Sequence, residues 1–390
     1  MQTLIELYDE RPLENVLSTE MFRPARTVFL CPPEIARSAV LQRRLRQYFA
    51  HRGVRCECVF IAVSMTDTAG IAATLSDITE KYPDCALDIA GGTDAALFAS
   101  GVLCGRRNIP VFTYSRKRNA FYEIQNAAFA RSLPCTLRFT VEDWFLMAGG
   151  AMRPGRVDNA VLDEYSALIP PLFKLFLRYR RQWPAIVTFM QRVSAPVDDA
   201  VSLTVDGAYQ VKGAYGRRID APEQALRDMA DIGLIAQLTI EPGERVAFRF
   251  RDEQVRFWLR DVGSALELHV YQACRETGAF DDVYTSAIVD WEEGESGPDS
   301  VSNELDVVAT SGVRPVFISC KACQVKTEAL NELAVLRDRF GGQIARAAIV
   351  TAEQGGAAMR RRAMELGIDV IDLNDLKSGA LPKCLTALLR

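Results

Sequence analysis

The feature that most constrains the fold lies in the first third of the chain, where short β-rich runs alternate with stretches of helical apolar spacing. The runs are residues 3–8, 27–31, 56–63, 86–90 and 110–114, and helical stretches fall at 33–51, 70–82 and 94–106. Strands separated in this way predict a parallel sheet joined by crossover helices. Residues 1–135 are therefore expected to form a Rossmann-like α/β domain. Ligands of such sheets bind beyond the carboxyl ends of the strands, which singles out the turns after Tyr8 and Ala90.

The second turn reads Asp88-Ile89-Ala90-Gly91-Gly92-Thr93-Asp94. Gly91 and Gly92 permit close backbone approach, Thr93 can cap the helix that follows, and the free N–H groups at its start suit a phosphate. No Gly-x-Gly-x-x-Gly is present, which argues against a dinucleotide cofactor.

From 136 to 250 the pattern turns helical, with stretches at 141–148, 171–182 and 221–232, followed by a β-hairpin at 236–240 and 245–250. Helices followed by a two-stranded wing suggest a winged-helix-like connector, the alternative being an unspecific helical linker. Residues 251–390 open with a long helix over 253–277. Strands follow at 282–291, 304–310, 315–319 and 347–350, with a helix at 326–340 before the last of them. Segments 357–366 and 369–373 complete the α/β unit, and 292–302 reads as a flexible loop. Helix, three strands, helix, strand is the layout of a restriction-endonuclease-like α/β domain.

Chemistry concentrates in this last domain. Period-two alternation puts Glu304 and Asp306 on one side of their strand, opposite Leu305 and Val307. After the turn Ser311-Gly312-Val313-Arg314, Ser319 and Lys321 share a face of the next strand, so the hairpin brings Asp306 near Lys321. Phosphodiester hydrolysis uses such parts: carboxylates to hold Mg²⁺ or Mn²⁺, and a lysine to orient water or stabilise phosphate charge. Glu267, flanked by Leu266 and Leu268, supplies a third carboxylate on a stretch expected to pack on the sheet. The alternative arrangement is an Asp306–Lys321 ion pair with Glu267 exposed. His269 does not share the Glu267 helix face and is expected to pack or lie on the surface.

Composition sets the setting. At 390 residues the chain fits about two or three domains. No apolar run approaches the roughly 20 residues needed to cross a bilayer, and no signal-like start is present, so a cytoplasmic protein without membrane contact is expected. The ten cysteines are scattered and read as reduced thiols; with only two histidines, zinc is disfavoured. A net charge of −4 confines nucleic-acid contact to local clusters such as Arg116-Lys117-Arg118, Arg178-Tyr179-Arg180-Arg181 or Arg360-Arg361-Arg362.

Several segments together resemble a known family. They are Leu4-Ile5-Glu6-Leu7-Tyr8-Asp9-Glu10-Arg11-Pro12, Gly91-Gly92-Thr93, Leu266-Glu267, and residues 303–308, 317–321 and 333–342. They resemble the Card/Can-type CRISPR ancillary nucleases, which join a CARF sensor domain to a PD-(D/E)xK effector. The resemblance implies a homodimer that binds a cyclic oligoadenylate, most often cyclic tetra-adenylate, and then cuts single-stranded RNA or DNA with Mn²⁺ or Mg²⁺. It assigns the ligand to the turns around Asp9, Glu10, Arg11 and Gly91, Gly92, Thr93, Asp94. It assigns the metal to Glu267 and Asp306, with Glu304 available, and catalysis to Glu267, Asp306, Ser319 and Lys321. Two positions depart from the pattern: Asp94 stands where several relatives carry lysine, and Ser319 where the wider superfamily carries an acid. A ligand-responsive DNA-binding regulator with an inactive nuclease-like domain, and a small-molecule enzyme built on the first domain, are the competing readings.

Overall fold

The computed structural model describes residues 1–155, 157–195, 202–291 and 302–390. Most of the loop expected at 292–302 therefore lies outside the described residues. The first sheet holds β1 (Thr3–Leu7), β2 (Arg26–Cys31), β3 (Glu57–Ala62), β4 (Cys85–Asp88), β5 (Val111–Ser115), β6 (Ala120–Gln125) and β7 (Leu133–Pro134). They lie in the order β3-β2-β1-β4-β5-β6-β7. The first five are parallel, as the alternating pattern predicts, and β6 and β7 add an antiparallel edge that the sequence reading leaves out. Chain order runs outward on both sides from the β1–β4 pair, so the turns after β1 and β4 sit together at the switch point of the sheet.

Two helices expected as continuous are broken. The stretch 33–51 divides into Pro33–Arg37 and Ala39–His51, because the Ser38 hydroxyl accepts the Leu41 N–H and starts a new helix. The stretch 253–277 divides into Glu253–Trp258 and Ser264–Glu276. Here Asp261 Oδ2 accepts the Gly263 and Ser264 N–H groups at 2.9 and 2.8 Å, which caps the second helix locally.

The next strand, β8 (Ala151–Pro154), falls inside the segment read as connector yet pairs antiparallel with a strand of the C-terminal sheet. The connector contains β9 (Thr204–Ala208), the small hairpin β10 (Gln210–Lys212) and β11 (Arg218–Asp220), and β12 (Ile235–Glu241) with β13 (Arg245–Phe250). Its sheet order β12-β13-β9 places the early strand beside the last one, beneath the helices Trp183–Val193 and Glu223–Asp231, a winged-helix-like arrangement.

The C-terminal sheet is completed by β14 (Asp282–Asp290), β15 (Ser302–Ser311), β16 (Arg314–Lys321), β17 (Arg346–Thr351) and β18 (Ile368–Ile371), in the order β18-β17-β16-β15-β14-β8. Both of its faces are buried. On one, Val307, Val316 and Ile318 share a core with Leu266 and Val270 of the helix Ser264–Glu276 and with Trp183, Phe248 and Trp258 of the connector region. On the other, Val308, Phe317 and Phe340 share a core with Leu4, Phe29 and Phe112 of the first sheet through Trp144 and Phe145 of the helix Val141–Ala148. No helix among the described residues is long and apolar enough to cross a membrane.

Trp144 fastens this second core. Its ring is 2% exposed, and its indole N–H donates to the Phe340 carbonyl at 2.6 Å, at the end of the helix Thr327–Phe340. Trp144→Ala is expected to cost about 3–5 kcal/mol, read as a lower denaturant midpoint. A loss below about 1 kcal/mol would show that the two domains do not depend on this contact.

Candidate active site

The β15–β16 hairpin builds the centre of the site. Its pairs run from Ser311↔Arg314 to Val307↔Ile318, so the next partners in register are Asp306 and Ser319. There the ladder stops. The Asp306 carboxylate takes over, with Oδ2 accepting from the Cys320 N–H at 2.6 Å, the Ser319 hydroxyl at 3.1 Å and Lys321 Nζ at 3.4 Å. A carboxylate thus replaces a main-chain carbonyl as the acceptor, which opens the end of the hairpin while leaving its donors satisfied.

The simple alternation expected for β15 does not continue through Asp306. Leu305 lies in the core with Val308 and Phe317, whereas Val307 lies in the core with Val316 and Ile318. Opposite this point Ser286 of β14 has φ of 53°, and a non-glycine residue in the left-handed region marks a local irregularity in the ladder. Glu304 remains beside the site, accepting from the Ser286 hydroxyl at 2.7 Å. Glu304, Asp306, Ser319 and Lys321 line one recess, whose far wall is formed by Glu332, Leu333 and Leu336 of the helix Thr327–Phe340.

Glu267 reaches the same centre from the opposite face. It lies in the first turn of the helix Ser264–Glu276, and a Cβ at Gly263 would stand 2.2 Å from Glu267 Oε1, so glycine leaves the space its carboxylate uses. Burial raises the Glu267 carboxyl well above its ordinary range, and the charges of Asp306, Asp261 and Glu304 add to the rise. Burial also raises Asp306, against the opposing pull of Lys321 and its hydrogen bonds. Burial works against the Lys321 ammonium, but Asp306 more than compensates and holds Lys321 charged beyond its usual range. Of the alternative arrangement, the Asp306–Lys321 ion pair is present at 3.4 Å, whereas Glu267 is not exposed.

Asp306 and Glu267 act on the one lysine, and Asp261 and Glu304 act in turn on Glu267. That surplus of negative charge, all from hard oxygen donors, fits a divalent cation such as Mg²⁺ or Mn²⁺. Among the described residues no group of three or more His, Cys, Asp or Glu side chains stands at metal-holding separation, so the carboxylates face one another without forming a closed ligand shell. Sequence reasoning overlooked Asp261 and Glu332. The run Asp261-Val262-Gly263-Ser264 carries a readable helix-start signal, whereas Glu332 reaches the recess through tertiary packing alone. His269 is a packing residue: its ring stacks on Phe173 at 3.6 Å, and burial lowers its pKa to about 4.

In the first domain the two turns interlock. Gly92 has φ of 93°, and its N–H donates to Asp9 Oδ2 at 3.0 Å. A Cβ at Gly91 would meet the Leu7 carbonyl at 2.9 Å, so the close approach that the glycines allow is to β1 itself. Arg11 binds the Asp9 carboxylate through Nε and Nη2, both at 2.7 Å. Burial alone would raise Asp9, but Arg11 and the Gly92 N–H hold it below its ordinary value. Thr93 caps the helix Asp94–Arg106 through the Ala96 N–H and donates to the Met65 carbonyl at 2.7 Å. Asp94 and Glu10 are exposed at the rim.

The raised Glu267 carboxyl has a consequence for stability. A carboxyl raised by folding stabilises the protein below its unfolded pKa and loses that contribution as pH rises through the folded value. With divalent cations chelated, Glu267→Gln is expected to raise the thermal midpoint by roughly 3 °C at about pH 8, a shift worth ~1 kcal/mol. The gain should vanish below the ordinary glutamate range. An equal midpoint at both pH values would contradict the burial of a charged Glu267.

Residues 251–386 match the family described as Card1-like, endonuclease domain. None of the curated proteins matches the chain. Among solved structures, protein VC1899 from Vibrio cholerae superposes with a TM-score of 0.77 at 19% identity, over 99% of this chain and 97% of that one. Can2 from Sulfobacillus thermosulfidooxidans, solved in complex with cyclic tetra-adenylate, superposes with a TM-score of 0.71 at 18% identity, again over 99% and 97%. Residues 251–386 thus match a Card1-like endonuclease domain, and over nearly its whole length the chain has the fold of VC1899 and Can2, an α/β first domain joined through a winged-helix-like connector to that domain.

Proposed function

We propose that the protein is a metal-dependent nuclease switched on by a cyclic oligoadenylate, cyclic tetra-adenylate being the first choice, in type III CRISPR antiviral defence. The observation that carries the reading is the gathering of Glu267, Asp306 and Glu304 around Lys321 at the open end of a hairpin. The substrate is a phosphodiester of single-stranded RNA or DNA. Glu267 and Asp306, with Glu304 beside them, would hold Mn²⁺ or Mg²⁺, which when bound would draw off carboxylate charge and polarise the phosphate. Ser319 and the Cys320 N–H fix one oxygen of Asp306, so that this carboxylate is oriented before substrate arrives. Lys321 stays protonated beside Asp306 and donates to a phosphate oxygen as charge develops there, rather than acting as a base.

Activation requires the sensor to reach this recess. The helix Thr327–Phe340 offers a path: Leu333 and Leu336 wall the catalytic recess, and its far end stands against the sensor turn that carries Glu10 and Arg11. Arg116 of the sensor pairs with Glu14 in that region and donates to Gln343 just beyond the helix at 3.1 Å. A cyclic ligand shared by the Asp9–Arg11 and Gly91–Thr93 turns of two copies would move this contact and, through the helix, the recess. Only tighter binding to the active arrangement can drive such a change. The Can2 structure, solved with cyclic tetra-adenylate on a similar fold, supports the choice of ligand.

The test incubates purified protein with labelled single-stranded RNA, single-stranded DNA and duplex, with Mn²⁺, with and without cyclic tetra- or hexa-adenylate. Cleavage that depends on both metal and cyclic ligand is expected, with Asp306→Ala or Lys321→Ala reducing it by at least about a hundredfold. Absence of cleavage in every combination would overturn the nuclease reading. Duplex binding without cleavage would support a DNA-binding regulator instead.

A further inference from the structure

One basic cluster picked out in the sequence, Arg116-Lys117-Arg118, takes no part in the catalytic recess. It forms the β5–β6 turn of the sensor sheet, and the structure sets it against the β15–β16 turn of the nuclease sheet. Between the two turns lies a groove of about 320 Å³, lined by Arg116, Lys117, Arg118 and Asn119 on one side and by Gly312 and Arg314 on the other. Among the described residues no carboxylate side chain lines it.

The charges around this groove are only partly neutralised. Arg116 is paired with the buried Glu14 and is thereby held in place. Lys117 and Arg118 are exposed and have no ion-pair partner among the described residues; Arg118 instead leans on the Tyr122 ring at 5.7 Å. Arg314 is half-buried and donates to the main-chain oxygen of Leu389. Burial and the neighbouring Arg346 both disfavour its charge, and Arg346 itself donates to the main-chain oxygen of Arg390 at 2.9 Å. Two acids beside the groove are already paired: Glu14 with Arg116, and Asp281, which accepts the Gly312 N–H at 2.6 Å and pairs with Arg138. In a chain of net charge −4, this is a concentrated local excess of positive charge.

We propose that this seam groove binds the phosphate backbone of the single-stranded substrate, as a second contact on the strand being cut. The inference rests on the nuclease reading and deepens it by giving the substrate a place outside the catalytic recess. Guanidinium groups bind phosphate through paired N–H donors, and an exposed lysine adds a point charge. The groove shares its hairpin with the catalytic residues. From Arg314 to Lys321 β16 advances roughly 23 Å at about 3.3 Å per residue, a span for an extended strand rather than for a compact ring seated on the sensor turns. Because the groove belongs half to each domain, a strand lying in it also bridges sensor and nuclease.

The test measures fluorescence anisotropy of short labelled single-stranded RNA and DNA with full-length protein in chelator, so that nothing is cut. Lys117→Gln/Arg118→Gln is expected to weaken linear-strand binding about tenfold near 0.1 M salt and to lower the salt slope by about 1.4, at roughly 0.7 per lost contact. The charge-preserving Lys117→Arg/Arg118→Lys should bind as the wild type does, and equal thermal midpoints show that all variants are folded. Unchanged strand affinity and slope would overturn the proposal. A loss confined to labelled cyclic tetra-adenylate would overturn it too, because the groove would then serve the activator. If the wild type binds strands through these residues but never cleaves them, the groove stands and the nuclease reading falls.

Discussion

The structure turns on the place where the β15–β16 ladder ends and the side chain of Asp306 takes the Cys320 N–H. Register decides which face every side chain of a strand meets, so a slip of one residue would move Asp306 away from Ser319 and Lys321 together. The pairs from Val307 to Ser311 hold that register, and the buried valines and Phe317 on the two faces make any slip costly. Stability and chemistry are thus joined in one hairpin. The apolar part fixes the position at which the polar part opens.

Burial on both faces gives the C-terminal sheet a second consequence. Glu267 arrives with the helix on the connector side, while the recess wall arrives with the helix Thr327–Phe340 on the side of the first domain. The site is assembled across a sheet that touches both neighbouring domains. Shifts in either neighbour therefore have a packed route to the carboxylates of the candidate site, because cores at crystal-like density pass displacement on rather than absorb it. The Trp144 contact with Phe340 and the Arg116 contacts with Glu14 and Gln343 lie on the first-domain side of that route.

Much of this was legible in the residues. Alternating β-rich and helical runs disclosed the parallel sheet, and the turn at Ser311–Arg314 disclosed the hairpin and the meeting of Asp306 with Lys321. Glu267 was recognisable as a carboxylate set among leucines. What stayed hidden depends on contacts between distant segments. β8 is too short to declare itself and becomes a strand only by pairing with β14. The breaks at Ser38 and at Asp261–Gly263 come from single side chains capping nearby N–H groups within otherwise helical patterns. The change of face at Asp306 depends on the backbone of Ser286 across the sheet, which no local pattern records. In the first domain, Asp9 and Arg11 were readable as a charged turn, but not their mutual binding or the tie to Gly92.

In the proposed function, Glu267, Asp306 and their neighbours form one centre whose excess negative charge would be answered by a divalent cation. Burial and like charge raise the Glu267 carboxyl, so binding of a cation there is coupled to loss of its proton. Calorimetric titration of the full-length protein with Mn²⁺, repeated near neutral pH in buffers of different ionisation enthalpy, measures that displacement. Saturable binding with proton release, the release being lost in Glu267→Gln, is the predicted result. Binding that releases no proton, or release unchanged in Glu267→Gln, would contradict the account.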